Sequence, residues 1–132
     1  MSSIASYCPC GIQKTYPQCC GLIHTDIKNA KTAEQLMRSR YTAFTLANGD
    51  YLMESHHPSK RKIKEKNEIV QWAQSVTWLR LEVLHATKGS EHDTEGTVEF
   101  KAFFKEGATV RSIEENSRFV KEEGTWFYYG VN

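Results

Sequence analysis

Four cysteines fall within thirteen residues near the start of a 132-residue chain, as Cys8-Pro9-Cys10-Gly11 and Cys19-Cys20-Gly21, and none follows. A segment of that size cannot bury a useful hydrophobic core, so something other than apolar burial has to hold it. Four converging thiolates suit a tetrahedral Zn2+, with sulfur at roughly 2.3 Å from the metal. Pro9 stiffens the first pair, and Gly11 and Gly21 permit tight reversals after each pair. A closed set of four sulfurs leaves no position for water or substrate, so the expected metal is structural. Iron and a redox pair are the alternatives. Adjacent Cys19 and Cys20 would form only a strained disulfide, and residues 1–7 lack the charged and apolar regions of a signal peptide. His24 lies near enough in sequence to be a reserve ligand, but with four thiols present it is expected at the surface.

The rest of the chain reads as one ordinary domain. Hydrophobic residues make up 39% and charged residues 25%, with a formal net charge of +1, a composition typical of globular proteins that excludes no class of partner. No apolar run reaches the roughly 18 residues of a membrane span. The expected organisation is a zinc knuckle over residues 1–25, a polar boundary over 25–31, and an α+β domain over 32–132.

Helical signals come first. Thr32 and Gln35 form a capping box, and Ala33, Leu36, Met37, Tyr41, Phe44 and Ala47 recur on one face until Asn48-Gly49 stops the helix. Arg40 falls in the middle of that apolar stripe, where a guanidinium either snorkels outward or needs a carboxylate. A short helix over 50–55 ends at His56-His57-Pro58. A further helix is expected over 59–75, with Ile63, Val70 and Ala73 inward and Lys60, Arg61, Lys62, Lys64 and Lys66 in its first turns. That basic run reads as a solvated face, and a nucleic-acid partner is not expected.

Strand signals fill the second half. Residues 76–87 alternate, setting Leu79, Leu81 and Val83 against Trp78, Arg80 and Glu82; residues 94–105 place Val98, Phe100, Ala102 and Phe104 together. Residues 113–121 carry Ile113, Glu115, Ser117 and Phe119 on one face, and 125–131 close with Trp126, Phe127, Tyr128 and Tyr129. Short turn-like connectors make this an antiparallel meander, with the helices packed on one face of a curved sheet. Glu115, like Arg40, interrupts an apolar face. The two are expected to meet as a charge-assisted pair beside Ser117.

These blocks together resemble a known family. The cysteine pattern looks like the SEC-C motif, the zinc-binding element also found in the SecA translocase ATPase. Residues 36–44, His57-Pro58-Ser59, Ser117-Arg118-Phe119 and Trp126-Phe127-Tyr128-Tyr129 resemble the YchJ family of bacterial SEC-C proteins. The resemblance implies a nuclear-transport-factor-like (cystatin-like) cone behind the knuckle, Zn2+ on Cys8, Cys10, Cys19 and Cys20, a cytoplasmic location, and no catalytic residue. In SecA the motif contacts the chaperone SecB and ribosomes, so docking on a protein partner in export or translation is the implied role. Lys14 is the only basic residue of the loop Ile12-Gln13-Lys14-Thr15, where relatives of the motif carry a basic stretch. Many members carry a second SEC-C motif after the last strand; here the sequence ends at Asn132, so docking through one knuckle is expected of a monomer.

The alternative function is a small-molecule-binding or enzymatic cone. Its expected lining is Arg40, Tyr41, His56, His57, Trp78, Glu115 and Ser117, with a histidine as base near neutral pH. No spacing enforces a catalytic geometry. A homodimer through the open sheet face is a further expectation, because alternation leaves Trp78 outside.

Overall fold

The computed structural model describes residues 7–132. The chain enters through a small hairpin in which Tyr7 pairs with Thr15, and the Cys8 N–H donates to the Lys14 carbonyl at 2.7 Å. Inside it, the Gly11 N–H donates back to the Cys8 carbonyl at 3.1 Å, and Gly11 takes φ of 98°. That is the β-turn the proline and glycine prescribe. A 3₁₀ turn, Tyr16–Gln18, leads into α1 (Cys20–Thr25). Gly21 is therefore helical rather than a reversal. Its lack of a Cβ matters for another reason: one would sit 2.7 Å from the Tyr16 carbonyl oxygen.

The polar stretch after α1 is packed. It forms a second 3₁₀ turn, Ile27–Asn29, and buries Ile27 and Ala30. α2 (Ala33–Thr45) begins where expected, with the Thr32 hydroxyl accepting from the Gln35 N–H at 3.1 Å. The Gln35 side chain returns the bond to the Lys31 N–H at 2.7 Å, completing the box one residue early. At the other end the left-handed residue is Ala47, at φ 53°, rather than Gly49. Asn48 instead caps α3 (Gly49–Glu54) by accepting from the Tyr51 N–H.

The expected long helix over 59–75 is shorter. Residues 58–60 are turn, Ile63–Glu65 is 3₁₀, and α4 spans Lys66–Ser75. Ile63, expected inward, is 66% exposed. Pro58 and the run of like charges after it explain the late start. Adjacent lysines cannot form the opposite-charge pairs that support a first turn, whereas Lys66 reaches Asp50 of α3.

Four strands follow, β1 (Thr77–Lys88), β2 (Glu95–Glu106), β3 (Thr109–Glu122) and β4 (Thr125–Val131). They form one antiparallel sheet in the order β1-β2-β3-β4. Glu123 and Gly124 both take positive φ at the last turn, as a two-residue hairpin loop requires.

Two bulges change the expected face pattern of β1. Trp78 pairs with Phe104 and Arg80 with Phe103, so Leu79 is an extra residue; a second shift follows between Val83 and His85. Trp78 consequently shares the inner face with Leu81 and Val83, opposite Phe104, Ala102 and Phe100. Leu79 and Leu84 are turned out. A bulge breaks the period of two while bending the strand. The aromatic surface expected outside is therefore inside, and the premise for a dimer through that face is gone.

α2 lies across the inner face. Leu36, Met37 and Ala43 pack with Leu52, Val98, Phe119 and Trp126 in one core that also includes Ile23 and Ile27 from the N-terminal segment. The N-terminal end of α2 is tied to the sheet by the Ala33 N–H to the Gly89 carbonyl, 2.9 Å, and by the Trp126 indole N–H to the Lys31 carbonyl, 3.2 Å. No helix among the described residues is long and apolar enough to cross a membrane.

Candidate metal centre and cone cavity

The hairpin carries Cys8 and Cys10, and the start of α1 carries Cys20 with Cys19 as its cap. Their four sulfurs lie within 4.8 Å of one another. All but Cys19 are buried. Cys10 Sγ and Cys19 Sγ are 3.6 Å apart, far beyond a disulfide bond and close to the roughly 3.8 Å edge of a tetrahedron with sulfur at about 2.3 Å from its centre. The donor set fits a closed thiolate site.

The thiols by themselves are in conflict. The hydrogen bond from Cys20 is the largest influence holding Cys10 down at about 5. The same bond, then burial, pushes Cys20 up, while burial first and Cys10 second push Cys19 up to about 12. One thiolate suppresses ionisation of its neighbours, which is the condition a bound dication relieves.

α2 braces this cluster from below. The Thr42 hydroxyl donates to Cys20 Sγ at 3.3 Å and lies 3.7 Å from Cys8 Sγ. Arg38 donates to the Cys10 carbonyl at 2.6 Å while holding Glu34 at 2.9 Å. His24 is half-buried and tied down rather than free at the surface. Its Nε2–H donates to the Ser39 carbonyl at 2.8 Å and its Nδ1 accepts from the Tyr16 hydroxyl at 2.7 Å. Burial pushes its pKa down, so the ring is a neutral strut between α1 and α2 with neither nitrogen left for a metal.

On the other side of α2 a cavity of about 140 Å³ opens against the sheet. Five expected residues line it: Arg40, Tyr41, Trp78, Glu115 and Ser117. Phe44, Phe100, Ile113 and Tyr128 complete most of its wall. Trp78 reaches it only because of the Leu79 bulge, and packs edge-on against Trp72 and Tyr41.

The direct Arg40–Glu115 pair is not formed. Arg40 instead donates to the Leu52 carbonyl at 2.9 Å and to the Ser55 hydroxyl at 2.6 Å. Its guanidinium carbon lies 4.5 Å from the centre of the Tyr128 ring. The Tyr128 hydroxyl donates to Glu115 at 2.8 Å, and Ser117 donates to the same carboxylate oxygen. Tyr128 thus stands between the two charges. Burial lowers Arg40 to about 10, with Tyr128, Tyr51 and Glu115 opposing the shift, so it remains a cation at neutral pH. Burial and then Glu115 raise Tyr128 to about 12, keeping its proton for the bond.

The two histidines are elsewhere. His56 bridges to β4 beside Tyr128, facing a surface cleft with Lys60, Lys62 and Arg118. Burial first, then Arg40, Arg61 and Lys62, lower it to about 4. His57 bonds Glu122 through Nε2 at 2.8 Å and Ser59 through Nδ1 at 2.7 Å. Neither lines the cavity, so the arrangement expected of a histidine base beside Arg40 and Glu115 does not occur. Tyr128 was missed, although period-two alternation puts it on the face of Trp126. Thr42 carried no sequence signal.

Comparison with known proteins agrees with this architecture. Residues 32–130 match the family model described as YchJ, middle NTF2-like domain. A UPF0225 protein of Vibrio parahaemolyticus is 46% identical over 125 residues, covering 95% of this chain and 74% of the relative. One from Geobacter sulfurreducens is 37% identical over 131 residues, covering 97% and 81%. The solution structure of a SEC-C motif containing protein from Rhodopseudomonas palustris superposes with a TM-score of 0.82 at 35% identity, over 96% of this chain and 98% of that one. The crystal structure of a SEC-C motif containing protein from Psychrobacter arcticus gives 0.77 at 31% identity, over 95% and 80%. With its four clustered thiols in front of a four-stranded helix-backed sheet, the chain belongs to the YchJ (UPF0225) family, whose middle domain is NTF2-like.

Proposed function

We propose that Cys8, Cys10, Cys19 and Cys20 hold a structural Zn2+ and that the knuckle it closes docks a protein partner through its loop, residues 12–18. The observation that carries this reading is the convergence of four largely buried sulfurs within 4.8 Å beneath a loop whose Gln13, Lys14, Pro17 and Gln18 are exposed. Zn2+ supplies neutralisation of the thiolates and a fixed loop shape; with every position taken by sulfur it activates no water. A reducing compartment such as the cytoplasm suits such a site, and an export or translation context follows by analogy with SecA. The test is a photo-crosslinker placed at Gln13 in cells. A discrete adduct that disappears in Cys19→Ser, while the cone keeps its circular dichroism, is expected; an adduct indifferent to Cys19→Ser counts against docking through the knuckle.

A second reading, that the cone binds a small molecule, is favoured by the cavity under α2 and its mixture of aromatic walls with two charged groups. No catalytic step is assigned to any residue. Metabolite screening by thermal shift, with a hit lost in Arg40→Ala, tests this reading; a hit that Arg40→Ala leaves unchanged argues for another site.

A further inference from the structure

The cavity holds two opposite charges that are kept apart. Arg40 makes no ion pair among the described residues, and its protein acceptors are both taken by Nη1. Among the described residues Nε and Nη2 find no acceptor, and among those residues no buried side-chain nitrogen or oxygen is left without a partner. These donors are therefore open to space around the guanidinium, which is a wall of the cavity. Glu115 is the mirror case. Among the described residues both of its donors, Ser117 and Tyr128, go to Oε2, leaving Oε1 without one while the residue lines the same cavity. Apart from the hydroxyls of Tyr41, Ser117 and Tyr128, the remaining wall, including Phe44, Trp78, Phe100 and Ile113, is apolar.

Resting on the reading that the cone binds a small molecule, we infer that its ligand is a zwitterion with a compact apolar body, of the amino-acid type. Arg40 takes its anionic group and Glu115 Oε1 its ammonium. Each alternative leaves an uncompensated charge. A simple anion satisfies Arg40 but is brought beside the Glu115 carboxylate. A simple cation does the reverse, and a neutral molecule strips water from both groups without replacing it. The aromatic faces suit an apolar body and also favour an ammonium near them.

The test uses the zinc-loaded full chain and four compounds that share one small branched body, suited to a cavity of about 140 Å³: L-valine, 3-methylbutanoate, 2-methylpropylamine and 2-methylpropan-1-ol. Binding is followed by titration calorimetry and by amide shifts of the sheet. L-Valine is expected to bind about tenfold or more tighter than each of the others, the loss of one charge-assisted bond being the difference. Glu115→Gln, which preserves shape, is expected to bring L-valine and 3-methylbutanoate within about threefold of each other. If 2-methylpropan-1-ol matches L-valine in the wild type, the zwitterion inference is overturned while the cavity reading survives. If none of the four shifts a cavity resonance at about 10 mM, where even millimolar affinity saturates, both fall.

Discussion

The Thr42 hydroxyl, 3.3 Å from Cys20 Sγ and 3.7 Å from Cys8 Sγ, orients two sulfurs from a helix that contributes no ligand. Thr42→Val keeps its volume and removes the donor. It is expected to weaken metal binding about tenfold, the usual cost of losing such a partner, in competition with a chromophoric chelator, and to leave the far-UV spectrum unchanged. His56 offers a second residue-scale prediction. Its folded pKa of about 4 lies below the ordinary value of about 6.5, so the unfolded chain binds the proton first. Its contribution to stability is whole above about pH 6.5 and is lost as pH falls toward about 4. In thermal melts between those limits, His56→Gln should lose stability less steeply with acidification than the wild type; equal slopes would contradict a neutral, half-buried ring. Individual residues were legible where they broke a pattern. Arg40 and Glu115 each interrupt an apolar stripe, and both line the cavity. That shared interruption is also the ground for expecting a direct pair, and the pair does not form because Tyr128 stands between them. His24 is expected at the surface because four thiols leave it no ligand role, and nothing in the sequence places Tyr16 and the Ser39 carbonyl, from two other elements, beside it.

The elements themselves followed from periodicity wherever periodicity was uninterrupted. β4 runs over the expected Thr125–Val131, and α2 starts at the expected cap. Bulges were not legible, since nothing in the residues Trp78, Leu79 and Arg80 tells a bulged from a regular strand; the choice is made by which side chain finds the core. Leu79 in the bulge is exposed and Trp78 is wedged among Phe44, Trp72 and Phe104. Trp78→Ala is therefore expected to cost about 2–4 kcal/mol, whereas Leu79→Ser should fall within about 0.5 kcal/mol of wild type. Urea denaturation measures both, and the opposite ranking would mean that β1 alternates without a bulge. The basic run of residues 60–66 illustrates a different limit. Helical spacing of Ile63, Val70 and Ala73 suggested one long helix, but proline and repelling lysines at its start left the first turns to a loop.

At the scale of the molecule, the knuckle and the cone share load. α1 sends Ile23 into the cone's core, His24 bridges to the Ser39 carbonyl, and Arg38 reaches back to Cys10. The polar composition of residues 25–31 suggested a linker because it hid two buried positions, Ile27 and Ala30. A chain built this way should unfold as one unit, and metal binding should stabilise all of it. Stripping metal with a strong chelator is expected to lower the midpoint of a single thermal transition by about 10 °C or more, the shift for a ligand held at about a thousand times its dissociation constant. An unchanged midpoint would mean that the knuckle hangs free of the cone. The metal proposed for the four thiols builds surface rather than performs chemistry. X-ray absorption at the zinc edge of the purified protein tests that most directly. Four sulfur neighbours at about 2.3 Å, with no nitrogen or oxygen in the shell, are predicted; a shell with a water or histidine position, or a protein that retains no zinc, would contradict it.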